Sequence, residues 1–154
     1  MKDIRLSQHF LLSEFTRSAT ATRHNVDNTL ASTGSPQACL EVISNLQSLC
    51  DNVLEPLRAH VGMPIVISSG YRCKRLNTLV GGAVRSQHMT GEAADIHIPN
   101  LATGRKWLLW IADHLTFDQL IMEHSKSGTH WLHVSFRQDI AKNRRQVIGN
   151  LQKS

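Results

Sequence analysis

An α+β fold is expected for this chain on three observations. Residues 36–61 carry apolar side chains at helical spacing over an unusually long stretch, and residues 103–115 repeat that pattern. Residues 65–68 are short and β-branched between a proline and a glycine. Residues 92–98 and 130–136 alternate apolar and polar side chains with period two, the signature of strands with one buried face.

A length of 154 residues allows one domain with a core that needs no disulfide staples. We expect a single domain over 1–154, with 1–35 wrapping the core and 138–154 forming a basic tail. A hydrophobic share of 41% and a charged share of 19% argue against disorder outside the ends. The odd set Cys39, Cys50 and Cys73 has no C-x-x-C pair, which argues against a disulfide framework and a four-cysteine metal site and fits a reducing compartment. The start of the chain lacks an apolar leader core, and no run approaches the ~20 apolar residues of a membrane span. Synthesis in the cytoplasm, no stable membrane insertion and a monomer are the expectations. The net charge of +5 favours anionic partners, but the densest late group, Lys142-Asn143-Arg144-Arg145, is too dilute for a nucleic-acid arm, so no nucleic-acid partner is expected.

Leu11-Leu12-Ser13-Glu14-Phe15 reads as a short helical or turn segment, and Thr20 to Gly34 as a long polar loop. Ser35-Pro36 supplies an N-cap followed by proline at the first helical position. The helix it starts presents Ile43, Leu46, Cys50, Val53, Leu54, Leu57 and Val61, should kink in its last turns at Pro56, and stops at Gly62. A strand over Ile65–Ser68 and a helix over Lys74–Val80 follow, and Gly81-Gly82 opens a loop that delivers His88. In the strand from Glu92 to Ile98, the apolar face is Ala94, Ile96 and Ile98, which leaves Ala93, Asp95 and His97 opposite. The helix over Thr103–Leu115 should cover one sheet face. Strands over Phe117–Glu123 and His130–Phe136 flank a turn at Ser125–Gly128, and Gln146-Val147-Ile148 reads as a short edge strand.

His88, Asp95 and His133 are candidate zinc ligands. Imidazole nitrogen and carboxylate oxygen bind zinc at about 2.0–2.2 Å, and three protein ligands keep a fourth position open for chemistry. Asp95 and His133 both lie on the polar faces of their strands and so can share a cleft. Hydrolysis of an amide also needs a carboxylate to take a proton and return it to the leaving amine. Glu123, at a strand end beside His133 if the two late strands pair, is the first choice. Glu92 is its rival, although period two turns it to the opposite face from Asp95. Cys73 has no paired base and reads as an inert thiol.

The residues Ser69-Gly70-Tyr71-Arg72, Leu76-Asn77, Val80-Gly81-Gly82, Ser86-Gln87-His88 with Gly91, Ala94 and Asp95, and Trp131-Leu132-His133-Val134-Ser135 resemble the zinc D-Ala-D-Ala carboxypeptidase and endopeptidase family. The likeness extends through Leu12-Ser13-Glu14-Phe15 and Leu54-Glu55-Pro56-Leu57-Arg58 and is greatest to small phage and prophage endolysins. It implies a hedgehog/DD-peptidase-like fold, a small mainly antiparallel sheet with helices on one face and a metal cleft on the other. It further implies one zinc ion on His88, Asp95 and His133, and a peptidoglycan stem-peptide substrate reached after membrane permeabilisation. Glu123 matches the family's glutamate before the last ligand. Arg72 matches the arginine that contacts the substrate or the developing oxyanion, both tasks for a planar cation. Ser86 and Gln87 are candidates to bind substrate or orient His88. Many members carry a histidine two residues before the last ligand, where this chain has Trp131, a candidate substrate wall. The adjacent His130 assists only if a bulge re-aims it. The other reading from the same residues is a non-catalytic zinc-binding module that recognises wall or protein ligands.

Overall fold

A computed structural model of the chain describes residues 3–149. Residues 150–154, the end of the basic tail, lie outside the described residues. A two-stranded ribbon, β1 (Arg5–Ser7) and β2 (Phe10–Leu11), leads into the short helix α1 (Ser13–Thr16). The stretch expected as loop holds α2 (Ala19–Arg23) and a 3-10 turn over Leu30–Thr33. The helix α2 forms because the Ser18 side chain accepts from the Ala21 amide, a cap that weak apolar periodicity conceals.

The long helix begins as expected at Pro36, capped by Ser35, but α3 ends at Leu49. A π-type turn over Cys50–Leu54 separates it from α4 (Glu55–Val61), so the irregularity expected from Pro56 lies in the turn just before it. Pro56 has no amide hydrogen, and its ring crowds the carbonyl four residues back at Asn52, so the helix adjusts in the turn before the proline. Gly62 closes α4 in the left-handed conformation.

Next come β3 (Ile67–Ser69), α5 (Lys74–Leu79), a 3-10 turn over Gln87–Thr90, β4 (Ala93–His97), α6 (Leu101–His114), β5 (Gln119–His124), β6 (His130–Ser135) and β7 (Gln146–Ile148). The five strands run in the order β3-β4-β6-β5-β7, antiparallel except that β7 lies parallel to β5 at the edge. The architecture is therefore α+β with a mainly antiparallel sheet. Strand β3 starts two residues later than the β-branched run at Ile65.

One sheet face is apolar: Ala94, Ile96, Leu120, Met122, Leu132 and Val134 join Leu46, Leu54, Leu57, Leu108 and Ile111 of the helices in a continuous core. Phe10 and Phe15 seal it from the N-terminal side, their rings 6.1 Å apart. Burying each such side chain contributes about 1.5–3 kcal/mol, so the sheet is held flat against its helices. The other face is left for polar side chains, with β4 and β6 at its centre.

Candidate metal centre

Pairing β4 with β6 sets Asp95 directly opposite His133. Directly opposed residues have Cβ atoms about 4.5–5.5 Å apart, so a carboxylate and an imidazole there meet without reaching. His88 arrives from the 3-10 turn Gln87–Thr90, which Ser86 caps by accepting from the His88 amide at 3.2 Å. Gly91 ends the turn at φ +79° and redirects the chain into β4.

Three donor atoms converge. His133 Nδ1 lies 3.0 Å from Asp95 Oδ1, His88 Nε2 lies 3.2 Å from the same oxygen, and the two ring nitrogens are 3.3 Å apart. Four ligands at about 2.0–2.1 Å in a tetrahedron are separated by about 3.3 Å, so the triangle fits one face of a zinc coordination shell. The protonation pattern fits as well. His88 Nδ1 lies 2.7 Å from the Gly70 carbonyl, which can only accept, so Nδ1 carries the proton and Nε2 presents a lone pair to the centre. Burial raises the Asp95 pKa, yet the close contacts with the His133 and His88 imidazoles outweigh it and hold the carboxyl well below the usual carboxylate range. Asp95 is thus an anion aimed at two imidazoles, a donor set made for a dication.

Around the trio lies a cleft of about 820 Å³, a size suited to a peptide and far larger than an ion needs. Glu123, two residues along β5 from the His133 pairing partner Ile121, places Oε1 3.7 Å from His133 Nδ1. Burial and the Asp95 charge raise its pKa above the ordinary glutamate value, against the pull of His133, His88 and Arg72. Its rival Glu92 is absent from the cleft lining and its carboxylate accepts from the Thr90 hydroxyl at 2.6 Å.

Arg72 lines the cleft, and its Nε is buried without a hydrogen-bond partner. Burial lowers its pKa against the opposing charges of Asp95 and Glu123, and a guanidinium still stays cationic at neutral pH. A Cβ on Gly82 would overlap Asn77 Oδ1 and sit 2.8 Å from Arg72 Nη1, so this loop passes too close to both side chains to carry one. The Arg72 amide donates to the His88 carbonyl at 3.0 Å, locking the arginine loop to the ligand turn.

Ser86, Gln87 and Trp131 also line the cleft, Gln87 Oε1 and Trp131 Nε1 without partners. His130 does not line it. β6 pairs with β5 in unbroken register, so no bulge turns His130 inward, and its ring lies 5.7 Å from that of His124.

Two positioning residues escaped the sequence reading. Asn28, buried in the segment expected as plain loop, donates to the Thr16 and Tyr71 carbonyls and accepts from the Cys73 amide, clamping the chain on both sides of Arg72. Asp118, fully buried at the start of β5, accepts from Gln87 Nε2 at 2.9 Å and from Arg137 and Arg144. An aspartate beside Phe117 ahead of an apolar strand was the only local hint of it.

The model of the Peptidase M15 family matches residues 8–135, which include every residue of the centre. The chain belongs to the Peptidase M15 family. No curated protein matches it. For an M15 chain, the match makes it a hydrolase of the metallopeptidase kind, and the His-Asp-His trio is a group able to hold the metal. Among the described residues no helix is long and apolar enough to cross a membrane.

Proposed function

We propose that this M15 chain is a zinc peptidase that hydrolyses an amide bond in peptidoglycan stem peptides or cross-links, and that it serves a phage or prophage as an endolysin. The observation that carries the catalytic part is the Glu123 carboxylate 3.7 Å from a three-donor metal centre inside a peptide-sized cleft. Zinc held by His88, Asp95 and His133 would act there as a Lewis acid on a carbonyl and on water. Glu123 takes the proton of the attacking water and hands it to the departing amine, which is too basic to leave without it. Arg72, lining the cleft, offsets negative charge growing on the scissile carbonyl oxygen or holds a substrate carboxylate. Trp131 forms a wall of the cleft against which the peptide packs.

The lytic role draws its support from the motif likeness to small phage enzymes, and the net charge of +5 suits docking on an anionic envelope. Synthesis in the cytoplasm and access to the wall after permeabilisation belong to the same proposal. The test is mass spectrometry of fragments released from purified peptidoglycan by zinc-loaded protein, beside Glu123→Gln. The expected result is new peptide ends from the wild type, and a variant that keeps one zinc but is slower by about 10²–10⁴. A wild type that binds zinc and wall yet releases no fragment and lyses no permeabilised cells sinks the enzyme and leaves a zinc-binding recognition module.

A further inference from the structure

Beyond the metal centre, the cleft has an end whose chemistry the hydrolytic step does not use. Its floor is built in rows across the strands: Glu123 opposite Trp131, then Ile121 opposite His133, then Gln119, whose backbone amide donates to Ser135 Oγ at 3.0 Å. At about 3.4 Å per residue, the last row is about 7 Å from the middle one, on the side away from Glu123. Past it stand Arg137 and Arg144, both lining the cleft, with Asp118 buried beneath them.

The charges there do not balance. Asp118 is a single carboxylate. It receives Arg144 through Nε at 2.9 Å, Nη2 at 2.8 Å and the backbone amide at 2.9 Å, and Arg137 through Nε at 3.2 Å. Two guanidiniums on one carboxylate leave one positive charge over. Each guanidinium carries five N–H donors, so Arg137 keeps both terminal nitrogens and Arg144 keeps Nη1 beyond their bonds to Asp118. Their side chains are 41% and 51% exposed, on the cleft side of a wholly buried anion.

The cluster is also held in shape. Asn143 accepts from the Arg137 amide at 2.8 Å and donates to the Arg137 carbonyl at 2.9 Å, closing the loop between the two arginines. Arg145 turns the other way, its guanidinium on the Ala112 and Leu115 carbonyls at the end of α6 and 5.1 Å over the Phe117 ring. The basic run at 142–145 is thus divided between a helix end and the cleft. Gln87, next to His88, gives Nε2 to Asp118 and so ties the ligand turn to the arginine cluster.

We propose that Arg137 and Arg144, seated on Asp118, form a carboxylate-binding subsite that selects peptides with an acidic group remote from the bond cut. It rests on the peptidase reading above, because a peptide brings its anion as a carboxylate, which a guanidinium fork grips bidentately. The subsite lies on the order of 10 Å from the metal donors, about three extended peptide units. The terminal carboxylate of one departing residue does not reach that far. The anion is therefore carried by an internal residue or by a terminus several units away.

The test uses L-Ala-γ-D-Glu-L-Lys-D-Ala in four forms, with the glutamate α-carboxyl free or amidated and the C-terminus free or amidated. Dissociation constants come from calorimetry on zinc-loaded Glu123→Gln protein with Arg137 intact or replaced by Gln. Amidating one carboxyl is expected to weaken binding roughly ten- to hundredfold with Arg137 present and to matter little after Arg137→Gln. The sensitive position tells an internal acid from a terminal one. Equal affinity for all four forms, or no binding of any acidic form, overturns the subsite. So does discrimination that survives in an Arg137→Gln protein of unchanged melting temperature and zinc content. Should that variant not fold, the intact protein's preference between free and amidated peptides still decides. Binding that discriminates while wild type cleaves nothing places the failure in the peptidase reading instead.

Discussion

Replacing Asp118 by asparagine keeps the shape of the side chain and removes its charge, and the consequences can be worked from its partners. In the native protein Oδ2 accepts from Gln87, Arg137 and Arg144 Nη2, while Oδ1 accepts from the Arg144 amide and Nε. An amide –NH2 in place of either oxygen confronts at least two of these donors with another donor. Breaking a buried ion pair on one side costs about 3–5 kcal/mol when the orphaned charge stays buried. Here the arginines are half exposed and water can take them, so the expected loss is about 2–3 kcal/mol, a fall of roughly 4–12 °C in melting temperature for a chain of this size. The loss carries a pH signature. Burial raises the Asp118 pKa, but hydrogen bonds from Arg144, Gln87 and Arg137 outweigh it and hold the carboxyl below the ordinary value. A depressed carboxyl stabilises the folded state fully above its unfolded pKa of about 3.9, and that contribution fades as pH falls toward the folded value. The stability gap between wild type and Asp118→Asn, measured by urea unfolding, should therefore be constant from pH 7 to about 5 and shrink below about pH 4. A gap under about 0.5 kcal/mol at pH 7, or one that does not narrow in acid, refutes the assignment of Asp118 as the charged anchor of this cluster.

Asn28→Ala strips the Cys73 amide and the Tyr71 carbonyl of their partner and should cost about 2–3 kcal/mol. Because the clamp brackets Arg72, peptide cleavage should fall while zinc content holds; a variant with lower zinc occupancy and an intact rate per bound ion contradicts the clamp. Gly91→Ala puts a Cβ at positive φ and 2.7 Å from the Val42 carbonyl oxygen, for a loss of about 2–4 kcal/mol by thermal or urea melts. A melt within a degree of wild type would show that the turn carrying His88 tolerates a side chain there.

Much of this molecule follows from patterns local in the chain. Period two along 92–98 and 130–136 assigned Asp95 and His133 to the polar sides of their strands, since alternation is a property of the extended backbone itself. Ser35-Pro36 marked the start of α3, and Gly62 the stop of α4, because capping and left-handed termination depend on a few adjacent residues. The motif likeness named the donors before any geometry was available. What remained hidden was local structure set by distant partners. Residues 19–33 lack apolar periodicity and fold as α2 and a 3-10 turn through the Ser18 cap and through Asn28, whose partners lie as far off as Cys73. The π turn at Cys50–Leu54 is a compromise between Pro56 and a core that buries Cys50, Val53 and Leu54 while Asp51 and Asn52 stay exposed.

The sequence by itself determined the inventory: two imidazoles and a carboxylate able to hold a metal, with the glutamate and arginine proposed for proton transfer and developing charge, and Asp95, His133 and Glu123 on strands legible from spacing. Only the tertiary structure decided their distances and their company. The β4–β6 register sets Asp95 against His133, the Gly70 carbonyl selects which His88 nitrogen faces the centre, and Asp118 gathers two arginines from beyond the last strand. Spacing along a chain dictates which face a side chain takes. Which other face it meets depends on strand pairing and on burial of one shared core, and those involve residues tens of positions apart.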